Sequence, residues 1–174
     1  MEKYNLYILL TKFPDAGSRA IKALTGFNYT HASIGLEEDM NTFYSFTYKG
    51  FIVEEITRYL KPEREPFPCQ LYVLEVSEKV YLATKKVLQY FVNMKPFFKY
   101  SKLGVVLGLF HVPCKRRYHY FCSQFVATVL EQTKAAKLRK SSALYFPKDF
   151  RKLKGVRLCF QGNLLSMVNR YSII

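Results

Sequence analysis

Two short apolar segments joined by a polar turn constrain this chain most. Across residues 29–36, Ala32, Ile34 and Leu36 project to one side and His31, Ser33 and Gly35 to the other. That is the two-residue period of a β-strand, with one packed face and one small, polar face. Residues 37–41 are polar, and 43–48 again read as a strand. The pair predicts an antiparallel hairpin, with Lys49-Gly50 turning the chain onward into a brief extension over 51–53.

The remaining elements follow from the same rules. Residues 4–11 are β-rich and apolar, Pro14-Asp15-Ala16-Gly17 is a turn, and 18–24 is a short helix capped by Ser18. One or two helical turns are expected over 55–60, a loop over 63–68 and a buried strand over 71–76. Ser77 is placed to cap a helix running to about Met94, with Val80, Thr84, Val87, Leu88 and Phe91 on one face. Residues 103–110 are apolar but carry Gly104 and Gly108, and read as a short helix or packed loop. A basic turn at 114–118 leads into a helix over 121–132 whose buried stripe is Phe125, Val126, Val129 and Leu130. A solvated helical end at 134–140, a short helix at 147–153 and a last strand at 156–160 complete the chain. No repeat, linker or composition break appears. The expectation is one α+β domain over 1–174, an antiparallel sheet with helices packed against it.

A length of 174 residues suffices to bury a core without a disulfide or metal staple. With 49% hydrophobic and 17% aromatic residues, the composition excludes disordered and low-complexity classes. The balance of 27 Lys+Arg against 13 Asp+Glu, net +14, fits an anionic partner, whether nucleic acid, lipid head group or acidic polymer, or simply a basic soluble surface, and charge alone chooses none of these. No stretch approaches the roughly 18 apolar residues of a membrane helix. The apolar run 6–10 is closed by Lys12 and Phe13-Pro14-Asp15, short of a secretory signal, so a cytoplasmic location is expected. Cys69, Cys114, Cys122 and Cys159 are widely spaced and read as free thiols.

Cys122 stands at the first turn of the 121–132 helix. The exposed N–H groups of a helix start carry partial positive charge, which favours the nucleophilic thiolate and can hold an oxyanion. A buried cysteine that only packs is the plainer alternative. His31, on the polar face of its strand, is the candidate base. A third polar group usually orients such a base. Ser45 and Thr47 on the neighbouring strand, and Glu54 and Glu55 beyond it, are the available groups, and none stands out by chemistry. His111, Cys114, His119 and Cys122 form a rival set with the residue types of a zinc site. Lys115-Arg116-Arg117 beside Tyr118, His119 and Tyr120 could bind phosphate or stack bases, or be a solvated turn.

Two of these segments together resemble a known family. Thr30-His31-Ala32-Ser33-Ile34-Gly35-Leu36 resembles the histidine strand of the circularly permuted NlpC/P60, papain-like proteins, and Tyr120-Phe121-Cys122-Ser123-Gln124-Phe125-Val126 resembles their cysteine helix. The histidine precedes the cysteine, which is the permuted order. The branch resembled is the YiiX/YaeF-like group of bacteria, similar in core to lecithin:retinol acyltransferase relatives. The likeness extends over the opening strand, residues 27–29, Tyr44-Ser45-Phe46 and Pro147-Lys148-Asp149-Phe150.

The resemblance implies a permuted papain-like fold and a thiol hydrolase of amidase or peptidase type. Cys122 would be the nucleophile and His31 the base, with no cofactor or metal. The family's third residue is usually His, Glu, Asn or Gln on the strand after the histidine strand. Counting across the hairpin reaches Ser45, which departs from that pattern. The expected substrate contains an amide or ester bond, in a peptide or linked to lipid, and no specific nucleic acid is expected. A lipid-directed acyltransferase or thioesterase at anionic membranes, or a catalytically weakened binding module, are the alternatives.

Overall fold

A computed structural model describes residues 2–12, 26–60 and 67–171. The expected turn at 14–17, helix at 18–24 and much of the 63–68 loop lie outside the described residues. Six antiparallel strands form the main sheet: β1 (Lys3–Thr11), β2 (His31–Leu36), β3 (Thr42–Thr47), β4 (Gly50–Glu55), β5 (Pro68–Ser77) and β8 (Val156–Asn163). Their order is β4-β3-β2-β1-β5-β8. Two residues each from β6 (Lys99–Tyr100) and β7 (His119–Tyr120) pair in parallel as a separate ribbon. The helices are α1 (Glu78–Asn93), α2 (Lys102–Leu109), α3 (Cys122–Gln132) and α4 (Leu164–Tyr171), with 3-10 turns at Ile56–Tyr59, Lys95–Phe97, Ser142–Leu144 and Pro147–Lys152. The architecture is α+β, an antiparallel sheet with helices.

Alternation along the strands sorts side chains between two cores. Leu6, Ile8 and Leu10 of β1, with Ala32, Ile34 and Leu36 of β2, join α1 and α3 in the larger one. Rings dominate it. Phe125 of α3 sits 5.2 Å from Phe46 of β3, 5.6 Å from Phe51 of β4 and 4.8 Å from Phe91 of α1, centroid to centroid. Aromatic pairs at such separations add about 0.5–1.5 kcal/mol each beyond the area they bury. They fix α3 over β2 and β3. Every α3 residue from Cys122 through Leu130 is buried, so the helix is enclosed on all sides rather than packed by one stripe.

The second core covers the small, polar face of β2. The His31/Ser33/Gly35 face of β2 is not open: all six residues of the strand are buried. Leu9, Phe43, Leu71 and Phe160 lie on this side of the sheet, covered by Leu164, Met167 and Val168 of α4. The strand can be narrow there because its neighbour is large. A Cβ added at Gly35 would come within 2.8 Å of the Phe43 ring, which is itself fully buried. Residues 134–140, expected as a helical end, form turns and bends; α3 stops at Thr133, and Lys134 takes a positive φ of 59°.

Gly35→Ala is expected to destabilise the protein by about 1–3 kcal/mol through overpacking against Phe43. Urea unfolding reads this as a lower midpoint, and an unchanged midpoint would mean that the second face is loose.

Candidate active site

The site begins with an acid inside an apolar strand. β4 runs Gly50-Phe51-Ile52-Val53-Glu54-Glu55 and pairs antiparallel with β3, with Phe43 opposite Glu54. Phe43 in turn stands opposite Gly35 of β2. Cross-strand partners point to the same side, and His31 shares that side with Gly35 by alternation. The Glu54 carboxylate and the His31 ring therefore lie on one face of the sheet. There His31 Nε2–H donates to Glu54 Oε1 at 2.6 Å, with both side chains almost wholly removed from water.

Cys122 arrives from the other partner element. Phe121 is the N-cap of α3, extended at φ −105° and ψ 165°, and offers no capping side chain. The first-turn N–H groups thus point at whatever sits beside the sulfur. Cys122 is 5% exposed, and its Sγ lies 4.0 Å from the carbonyl oxygen of Thr30, the residue before His31. Cys122 lies close enough to the His31 ring to favour its protonated form. With Nε2 turned to Glu54, Nδ1 is left as the other ring nitrogen. Ser123, next along α3, donates its hydroxyl to the Tyr145 carbonyl at 2.7 Å and locks the helix start to the following loop.

Charge settles the state of the ring. Burial opposes the imidazolium, but the Glu54 carboxylate, then the nearby Cys122 and the hydrogen bond to Glu54, outweigh it, and the His31 pKa rises from 6.5 to about 10. The proton therefore stays on His31 at neutral pH. Thr11, Thr30 and Ser33, all within two residues of His31 or opposite it in register, present buried hydroxyl oxygens with no hydrogen-bond partner among the described residues.

Ser45 does not occupy the third position expected of it. Its hydroxyl donates to the Ala32 carbonyl at 2.6 Å and so ties β3 to β2. The ring's partner comes from one strand further, because a longer carboxylate side chain on the same face reaches the imidazole. In the local sequence nothing distinguishes Glu54 from Ser45, Thr47 or Glu55. The available signal was an acid at an inward-facing position directly after Phe51-Ile52-Val53. The rival metal set does not converge: among the described residues, no three or more of the His, Cys, Asp and Glu side chains gather closely enough to hold an ion. The His119 ring instead bonds its own turn, with Nδ1 2.8 Å from the Arg117 carbonyl. Cys69, Cys114, Cys122 and Cys159 are all free thiols, and burial pushes Cys69 up to about 12.

No protein-family model matches the chain, and no curated protein matches it.

A raised histidine pKa is a stabilising contribution that is complete below the unfolded value of 6.5 and is lost as pH climbs through about 10. Glu54→Gln removes the carboxylate charge that raises it. The variant is expected to be less stable than the natural protein by about 2 kcal/mol at neutral pH, with the gap closing as pH approaches 10. Thermal melts across that range check this; a gap independent of pH would show that no charge is carried on the ring.

Proposed function

We propose that this chain is a thiol-dependent hydrolase of circularly permuted papain-like (NlpC/P60) fold, acting on amide or ester bonds. One observation carries the reading: a buried carboxylate–imidazole pair beside a cysteine at an uncapped helix start, its sulfur 4.0 Å from the carbonyl of the residue before the histidine. A packing cysteine needs none of this. A nucleophile, a base and a group that orients the base need all of it.

The reaction runs in two halves. The Cys122 Sγ proton passes to the His31 ring, and the sulfur so freed attacks the carbonyl carbon and forms a C–S bond. The carbonyl π electrons move to oxygen, where the N–H groups of the first turn of α3 stabilise the charge, an effect worth about 3–4 kcal/mol where such donors have been removed. As the tetrahedral species collapses, His31 gives its proton to the departing nitrogen or oxygen and an acyl-thioester remains. Water then enters. His31, now neutral, takes one of its protons, the hydroxide oxygen bonds to the acyl carbon, and the C–S bond breaks to release the acid and restore the thiolate. Glu54 holds the ring in position and stabilises its positive charge throughout. It supplies the carboxylate that Ser45 lacks, and this favours an active enzyme over a weakened binding module.

Cys122→Ala is expected to lose turnover of activated ester and amide probes by at least about a thousandfold while keeping its unfolding midpoint. A variant with full turnover would end the proposal. Glu54→Gln is expected to move the alkaline limb of the pH–rate profile downward, because His31 then loses its proton at lower pH. An unshifted limb would remove Glu54 from the mechanism.

A further inference from the structure

The helix α2 is inside out. Its glycines face the protein: Gly104 packs near Ser101 and the Phe121 ring, and Gly108 lies against Phe146 and the Ala143 carbonyl. Both are buried. Leu103, Val106 and Phe110, at spacings of three and four, fall on the opposite side and are 48%, 51% and 74% exposed. Val112 extends the stripe at 47%. The end of the helix is built rather than frayed. His111 takes a φ of 61°, Val112 N–H donates to the Leu107 carbonyl at 2.9 Å and His111 N–H to the Gly108 carbonyl at 3.1 Å. This is a Schellman closure without its usual glycine, and it holds Phe110 and Val112 outward.

The sequence on either side of this helix carries one sign of charge. Residues 79–130 contain nine lysines and arginines and no aspartate or glutamate. Lys85 and Lys115 are paired with Glu38 and Glu131 from outside that stretch. Lys102 opens the apolar helix, and Lys115-Arg116-Arg117 follow its tip. A second copy of the chain would bring these cations together. An anionic lipid surface instead accepts the apolar side chains between its head groups and the lysines and arginines at its phosphates. Nucleic acid would meet the charge but leave the stripe in water.

We propose that α2 and the turn after it dock this protein onto anionic bilayers, with Leu103, Val106, Phe110 and Val112 inserted at the head-group boundary. Docking is a property of this face alone and does not depend on the thiol chemistry, although α2 packs against Phe121, the residue before Cys122.

The test is co-sedimentation of the full chain with vesicles of phosphatidylglycerol and phosphatidylcholine, and with phosphatidylcholine alone. Binding is expected to the anionic vesicles only and to weaken as salt rises. Val106→Ser combined with Phe110→Ser is expected to bind about tenfold more weakly with an unchanged unfolding midpoint. Arg116→Glu with Arg117→Glu, changed at exposed positions, is expected to weaken binding as well and serves if the first variant misfolds. Cys122→Ala is expected to bind as the natural protein does, which separates this proposal from the hydrolase reading. Three results would overturn it: no sedimentation with anionic vesicles, undiminished binding by the serine variant, or a dimer in solution that the serine variant dissociates.

Discussion

A carboxylate held 2.6 Å from an imidazole, both out of water, is the contact on which the rest of this architecture turns. Removing two charges from water costs several kcal/mol per ion, and an apolar pair of similar volume often does as well for stability. What an apolar pair cannot do is keep a proton on a ring nitrogen beside a sulfur. The pair also constrains the sheet. Glu54 and His31 meet only if β4, β3 and β2 keep their register, since a slip of one residue would send either side chain to the opposite face. Phe43, wedged over Gly35 between the two strands, makes such a slip costly.

Two cores divide the labour. The aromatic one clamps α3 from three directions and so sets where the helix begins, which is where the sulfur is. The other, closed by α4, covers the face that carries His31, Ser33, Ser45 and Glu54 and removes it from water. Low exposure strengthens the Glu54–His31 attraction, because the same charges in water would be screened. The chemical reading therefore depends on the C-terminal helix as much as on the histidine strand and cysteine helix, though α4 contributes no group to the site.

Much of this was legible in the sequence, and the reasons for the remainder are physical. The β2–β3 hairpin, the α1 stripe and the α3 helix announce themselves by local periodicity, and their observed bounds differ from expectation by a residue or two. The choice of Glu54 over Ser45 was not legible, because it depends on the reach of a side chain across two strand spacings. Counting along one hairpin cannot see the strand beyond it. The small, polar face of β2 was legible as such, but its enclosure was not, because only the fold shows that the small residues make room for Phe43. The covering helix does carry a signal, with Leu164, Met167, Val168 and Tyr171 at helical spacing after the last strand. The fate of 103–110 turned on its glycines. They do not break the helix but let its backbone lie against Phe121 and Phe146, and this leaves the larger side chains outside.

The most direct measurement is peptide mass spectrometry after brief exposure of the protein to an activated acyl ester. The expected result is one acyl group on the peptide containing Cys122, none on those containing Cys69, Cys114 or Cys159, and loss of the adduct in His31→Ala. Acylation of the more exposed Cys114 in preference to Cys122, or an adduct on Cys122 that persists undiminished without His31, would contradict the paired sulfur and imidazole on which the proposed chemistry rests.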